Sequence, residues 1–240
     1  MKNIYNNILT SISNKEKLLA VLIDPDKIKI EDVSNFIKNV NASVATHIFI
    51  GGSSVRVNET ENLVTEIKKL TKLPLVLFPG DIIQITKQAD ALLFLSLISG
   101  RNPEYLIGKH VEAVSKLRQI DLEVIPTGYI LIENGKKTAV EKVTDTQPMS
   151  RKNIPFVIDT ALAGELLGMK LLYLEAGSGA THPVDTKMIS ETKKAIQIPL
   201  IVGGGIKTKQ QLDDAYHFGA DLVVIGTAFE EDINFFDELV

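Results

Sequence analysis

Eight short runs of Val, Ile and Leu recur along the chain: Leu19 to Ile23, His47 to Ile50, Leu75 to Phe78, Leu92 to Leu95, Glu123 to Ile125, Leu171 to Leu174, Leu200 to Val202 and Leu222 to Ile225. They are continuously apolar and do not alternate. Each therefore predicts a strand covered on both faces, as parallel strands inside an α/β fold are. Most of the gaps carry helical periodicity, such as Val33, Phe36, Ile37 and Val40, or Val111, Val114 and Leu117. Eight strand-helix units in 240 residues average about 30 residues each, the size of a βαβ repeat and the usual total for a (β/α)8 barrel. An open doubly wound sheet would place a glycine-rich turn after its first strand. Here that strand ends in Asp24-Pro25-Asp26, and the glycines crowd the late strands. The expectation is an α/β fold, a (β/α)8 TIM barrel, forming one domain over residues 1–240.

Two irregularities modify this pattern. Only Pro79 to Asp90 separates the third and fourth strands, and after Pro79-Gly80 it holds at most a turn or two of helix. The third outer helix is expected to be replaced by a loop. The stretch from Gly128 to Pro155 is long and polar, with Glu133-Asn134-Gly135-Lys136-Lys137 reading as a hairpin-like turn followed by a loop. It is placed to cover the mouth of the barrel.

Composition narrows the function classes. Twenty-six Lys and Arg against 30 Asp and Glu give a net charge of −4, with neither sign in a block that could track a phosphodiester backbone, which argues against nucleic acid as a partner. The absence of cysteine removes disulfides, thiolate nucleophiles and cysteine-type zinc sites, and fits a reducing cytoplasm. The opening MKNIYNNILTSISNKEK lacks the unbroken apolar core of a secretory signal. Ala91 to Ile98, the most apolar stretch, falls well short of the roughly 20 residues a spanning helix needs.

In such a barrel, ligands bind at the C-terminal ends of the strands. The seventh run is followed by Gly203-Gly204-Gly205 and the eighth by Gly226-Thr227, where backbone N–H groups can hold a phosphate. The same glycines could instead serve only tight turns. The sixth run ends in Glu175-Ala176-Gly177-Ser178-Gly179-Ala180, a carboxylate at a strand tip ahead of a donor-rich loop. Glu175 there is either a proton acceptor for a substrate hydroxyl or an ion-pair or capping residue. At the first two strands, Asp24 and Asp26 flank a proline, and Gly51-Gly52-Ser53-Ser54 offers small hydroxyls. One aspartate and one serine would suffice for magnesium, which completes its shell with water and substrate phosphate, although Asp-Pro-Asp is also an ordinary turn. His47, His110 and His217 lack paired ligand spacing and read as structural, while His182 lies close behind the sixth-strand loop. Tyr129 and Tyr173 fall near strand ends and can line a pocket; Tyr105 and Tyr216, on helices, are by default packing residues. The layout suits the joining of two phosphorylated substrates.

Together the segments Leu22-Ile23-Asp24-Pro25-Asp26-Lys27, Ile50-Gly51-Gly52-Ser53, Phe78-Pro79-Gly80, Gly108-Lys109-His110, Gly128-Tyr129-Ile130, Tyr173 to Ala180, Gly203 to Ile206 and Ile225-Gly226-Thr227 resemble the geranylgeranylglyceryl phosphate synthase family. The likeness covers nearly the whole chain. It implies a prenyltransferase that joins the C3 hydroxyl of sn-glycerol 1-phosphate to a polyprenyl diphosphate, with release of pyrophosphate. It also implies Mg2+ on Asp24 and Ser53, and Glu175 as the residue that orients and deprotonates the hydroxyl. Glycerol phosphate would be held by Tyr173, Leu174, Glu175, Ala176, Gly177, Ser178, Gly179, Gly204, Gly205, Gly226 and Thr227. Tyr105 matches the position where a bulky aromatic closes the prenyl groove, which points to a geranylgeranyl donor. The family further implies a homo-oligomer, dimer or hexamer, and transient contact with a membrane surface. Leu22 departs from one branch of the family, which carries a lysine there; Glu-Ala-Gly-Ser-Gly marks the other. Lys27 and Lys207 are the candidates to supply the missing cation. The rival readings are another phosphate-binding barrel, such as a sugar-phosphate isomerase or a thiamin-phosphate-synthase-like transferase, or an idle barrel that only binds a phosphometabolite.

Overall fold

A computed structural model of the chain describes residues 3–231. Eight parallel strands close into a barrel in chain order, with the last pairing back on the first. They are β1 (Leu18–Ile23), β2 (His47–Ile50), β3 (Leu75–Leu77), β4 (Ala91–Ser96), β5 (Glu123–Leu131), β6 (Leu171–Glu175), β7 (Leu200–Gly203) and β8 (Leu222–Ile225). The expected TIM barrel is therefore the architecture. Every apolar run read from the sequence is a strand; β5 alone extends well beyond its run, because Pro126, Thr127 and Gly128 continue the ladder with β4. Its tail of Tyr129 to Leu131 then pairs with β6.

The outer layer comprises α2 (Ile30–Ala42), α3 (Glu59–Leu70), α4 (Lys109–Leu117), α6 (Ile154–Leu166), α7 (Thr186–Ala195) and α8 (Lys209–His217). A helix α1 (Ile4–Ser13) precedes the barrel, a short α5 (Ala139–Thr144) follows β5, and α9 (Thr227–Glu231) follows β8. Amphipathic spacing explains the docking: α2 buries Val33, Ile37 and Val40. Helix α1 does something different, placing Ile4 and Ile8 among the side chains that fill the barrel interior. Its first amides, of Ile4 and Tyr5, donate to the Glu123 carboxylate at the start of β5, which satisfies two N–H groups a helix start leaves open.

Side chains alternate strictly along each strand, which divides the molecule into two apolar layers. On β6, Leu171 and Tyr173 point into the barrel, while Leu172 and Leu174 join the layer beneath the helices. By the same period, Glu175 at the strand end turns inward, above Tyr173. This one alternation aims the carboxylate at the mouth.

Between β3 and β4 only a single 3₁₀ turn, Ile82–Gln84, stands where the third outer helix would be, as the sequence led us to expect. The buried Gln84 amide takes over part of the missing helix's role. It accepts from the Gly52 N–H at 3.2 Å and donates to the Gly52 carbonyl at 2.8 Å. The stretch after β5, read from sequence as turn and loop, contains more structure than expected. Thr138 and Glu141 form a reciprocal capping box that starts α5, and Ile132 bridges Met149.

Candidate active site

Glu175 is 5% exposed and accepts a hydrogen bond from the Gly177 N–H. Burial pushes its carboxyl above the usual carboxylate range, against the opposing effects of the Tyr173 hydroxyl and the Gly177 amide. The Tyr173 hydroxyl is close enough to exert that pull yet meets no partner in hydrogen-bonding geometry, and it is fully buried. A methyl placed on Gly203 would collide with this hydroxyl and stand 3.1 Å from Glu175 Oε2. The tyrosine and the glutamate thus converge on one point at the end of β7. A proton acceptor of raised pKa is what deprotonation of an alcohol near neutral pH asks for.

The loops beyond β6, β7 and β8 meet beside this carboxylate. Ser178 Oγ lies 3.1 Å from Thr227 Oγ1, and the Gly179 N–H donates to the same Thr227 oxygen at 3.2 Å. The Lys27 ammonium, from the turn after β1, donates to Ser178 Oγ at 3.4 Å. The Lys136 ammonium stands 3.0 Å from where a methyl on Gly179 would be. Gly204 has φ +82°, a left-handed conformation that leaves its backbone against the Glu175 and Gly177 atoms. Hydroxyls, turned amides and two ammonium groups make a cradle suited to a phosphate. Of the positions expected here, Tyr173, Glu175, Gly177, Ser178, Gly179, Gly204 and Thr227 are brought together. Gly205 backs onto Pro183 and Ala180, and Gly226 onto Leu22, one step further out. Leu174 and Ala176 pack their side chains outward under the helices, so only their backbone can serve the cradle.

Asp24, one step past β1, packs its carboxylate against Gly52, where a methyl would stand 2.9 Å from either oxygen. Burial raises its pKa, against the lowering effects of the Asp26 amide and Lys27. The next residue after Gly52 is Ser53, held from behind by Gly80, where a methyl would come within 2.8 Å of Ser53 Cα. A partly desolvated carboxylate packed on Gly52, with a hydroxyl on the next residue along, is a hard-oxygen donor set of the kind that fits magnesium, which takes few protein ligands and fills its shell with water and phosphate oxygens. Among the described residues no cluster of three or more His, Cys, Asp or Glu could hold a metal by itself; a substrate would have to complete the shell.

An apolar groove is lined by Gly52 and Ser53 and by Ile82 of the short turn that replaces the third helix. Its walls include Phe78, Leu93, Leu95, Tyr129 and Val143, and Tyr105 stands among them. Tyr105 sits on the π-helical turn Glu104–Gly108 ahead of α4, and its hydroxyl donates to the Val143 carbonyl of α5 at 3.1 Å. That bond ties the turn before α4 to α5 at the groove wall. An ion pair between Asp81 and Lys109, 2.6 Å apart, lies along the wall.

Residues 11–240 match the model of the PcrB family. The chain belongs to the PcrB family. It is 53% identical over 237 residues to the geranylgeranylglyceryl phosphate synthase of Flavobacterium johnsoniae, covering 99% of this chain and 98% of that one. Against the synthase of the same name from Zunongwangia profunda, identity is 54% over 230 residues, covering 96% and 98% of the two chains. A crystal structure of (S)-3-O-geranylgeranylglyceryl phosphate synthase from Thermoplasma acidophilum, in complex with its substrate sn-glycerol-1-phosphate, superposes with a TM-score of 0.93 at 30% identity, over 100% of this chain and 96% of that one. This PcrB-family protein is accordingly an enzyme of the prenyltransferase kind.

The sequence reading left several residues of this PcrB-family site unassigned. Gln84 and Asn134 are buried amides that hold the mouth together: Asn134 donates to the Ala176 carbonyl and accepts from the Lys136 N–H, clamping the β5–α5 loop onto the β6 loop. Their signal was a polar residue inside an apolar or turn-like run, which has no periodicity to reveal a partner. Of the candidates to replace the lysine missing at Leu22, Lys27 reaches the cradle, while exposed Lys207 donates its backbone N–H to Gln211 Oε1 at 2.8 Å. The four histidines are dispersed in the structure, as their spacing implies. Burial takes His47 down to about 4. Burial likewise lowers His110, which lines the groove edge-on to Phe94 at 4.4 Å. Exposed His182 supports the Asn134 turn through its backbone, its N–H donating to the Asn134 carbonyl at 3.3 Å.

Proposed function

We propose that this enzyme transfers a prenyl group, geranylgeranyl by preference, from its diphosphate to the C3 hydroxyl of sn-glycerol 1-phosphate. One observation carries the reading: a buried carboxylate of raised pKa stands beside a loop cradle suited to a phosphate, and the ring of Tyr173 beneath it packs on Phe78 and Tyr129 of the apolar groove. The names of the relatives support it, and so does the sn-glycerol-1-phosphate in the Thermoplasma acidophilum structure. An aldose-ketose isomerase needs the cradle and the base but has no use for the groove.

The cradle of Ser178, Gly179, Thr227 and Lys27 holds the phosphate of the acceptor. That orients its C3 hydroxyl toward Glu175, and the prenyl tail lies along the groove, each isoprene unit contributing several CH2-equivalents at about 0.8 kcal/mol apiece. Asp24 and Ser53 would hold a magnesium ion, which when bound would supply neutralising charge to the diphosphate. The C1–O bond to the diphosphate breaks and its electron pair leaves with the pyrophosphate. The acceptor oxygen forms the new C1–O bond, and its proton passes to the Glu175 carboxylate. Holding both reactants in line is the main gain that such a site offers.

The test is transfer of labelled glycerol phosphate into an organic-extractable product, with sn-1 and sn-3 isomers compared against donors of increasing length. Product from the sn-1 isomer alone is expected, with the twenty-carbon donor preferred; no product from protein that still binds glycerol phosphate would sink the reading. Tyr105 is the residue we read as closing the groove, and Tyr105→Ala opens it. In the same assay it should shift preference to donors longer by one or more isoprene units while leaving glycerol phosphate KM within about twofold, since a few buried CH2 groups amount to about tenfold in donor selectivity per 1.4 kcal/mol.

A further inference from the structure

Three aromatic rings meet between the groove and the base. Phe78 stacks on Tyr173 with centroids 5.4 Å apart and planes at 29°. Tyr129 meets Tyr173 edge-on at 5.4 Å and Phe78 at 5.9 Å. Phe78 and Tyr129 line the same groove as Gly52 and Ser53. Tyr173 carries the cluster on to Glu175. Each ring arrives for a local reason: Tyr173 and Tyr129 face inward by strand alternation and pair across β5 and β6, while Phe78 is the first residue past β3, half-buried on top of the interior.

We propose that this cluster, with Phe78 at its centre, forms the wall against which C1 of the prenyl donor lies, and that its ring faces stabilise the positive charge developing there. The inference rests on the prenyl-transfer reading above. The donor's diphosphate belongs with Asp24 and Ser53, its tail with Leu93, Leu95 and Tyr105, and the acceptor hydroxyl with Glu175. The carbon joining all three has to lie where these lines cross, and the wall there is aromatic. Loss of the diphosphate leaves C1 to C3 of the donor with delocalised positive charge. On the wall side the side chains in mutual contact are the rings of Phe78, Tyr129 and Tyr173, and a ring face is the group that attracts a cation without capturing it. A carboxylate in that place would trap the cation as an ester. The burial of Tyr129 and Tyr173 keeps both phenols un-ionised and so unable to act as nucleophilic oxyanions; burial, with the charge of Glu175, raises both far above the ordinary phenol range. Simple core packing explains Tyr173 and part of Tyr129, but not the aromatic ring at Phe78, which is only partly buried and lines the groove.

Fluorination tests the ring's charge distribution with little change in its shape. Phe78 is replaced in the full chain by mono-, di- and trifluorophenylalanine, and the single-turnover transfer rate is measured with saturating sn-glycerol 1-phosphate, magnesium and geranylgeranyl diphosphate. The logarithm of the rate should fall in steps with each fluorine, about tenfold over the series, consistent with the strength of a partly desolvated cation–π contact, while Tm and the affinity for both substrates stay unchanged. Phe78→Leu should lose about tenfold to a hundredfold, and Phe78→Tyr should retain most of the rate. A flat fluorine series in active enzyme overturns the inference and leaves the prenyl-transfer reading standing. Absence of transfer by the unaltered protein overturns both.

Discussion

Glu175→Gln should lower the transfer rate by about 10² to 10⁴, the usual contribution of a positioned general base, while the melting temperature at neutral pH stays level or rises. The two halves of this expectation share a cause. Glu175 is buried, and burial raises its pKa in the folded protein above that in the unfolded chain. A carboxyl so shifted contributes stability that is fully present below its unfolded pKa and lost as pH rises through its folded pKa. Above that window the ionised form is held against a solvation penalty, and a neutral amide of the same shape avoids it. The Gln side chain can still accept from the Gly177 N–H that now bonds the carboxylate. The stability difference between variant and parent should therefore grow as pH rises through the shifted pKa and close on the acid side. The acid limb of the parent's pH–rate profile should likewise lie above the ordinary carboxylate range, and thermal melts and rates measured on one buffer series check both. A Gln variant that transfers at the parental rate would remove Glu175 from the chemistry.

Gly204→Ala should reduce activity about as severely, and by a different route. Gly204 has φ +82°, and its new methyl would overlap the Glu175 Oε1 atom and lie 2.5 Å from the Gly177 nitrogen. Left-handed backbone at a non-glycine residue costs about 1 kcal/mol or more, and the collision must be relieved by moving the carboxylate or the β6 loop. Denaturant melts should show a loss of about 1–3 kcal/mol, with m unchanged. Activity should fall at least a hundredfold, because a displaced base and a displaced cradle both lose the alignment on which rate depends. Binding of sn-glycerol 1-phosphate, measured by calorimetry, should weaken together with the rate. Full activity in the alanine variant would show that the β7 loop does not hold the base.

Much of this protein was legible in its chain. Eight apolar runs without alternation, separated by amphipathic stretches, permit few architectures, because a strand apolar on both faces must be covered on both faces. The short Pro79 to Asp90 gap showed the missing helix for a reason of length alone. Glu175 and the late glycines stood at strand ends, and strand ends are where such barrels bind. Those are local properties: period, length and backbone permissiveness act over a few residues.

What the tertiary structure alone decided is which distant residues share a space. Nothing in Ile82-Ile83-Gln84-Ile85 shows that the amide pairs with Gly52, and nothing in Glu133-Asn134-Gly135-Lys136-Lys137 shows that Lys136 leans over Gly179. The extension of β5 through Pro126 was hidden because pairing with β4, not propensity, holds those residues extended. Phe78, Tyr129 and Tyr173 are spread over almost a hundred positions of sequence and become one aromatic wall only when the barrel closes. Closure sets the register of eight strands at once, and register decides which side chains meet at the mouth; no segment carries that information by itself.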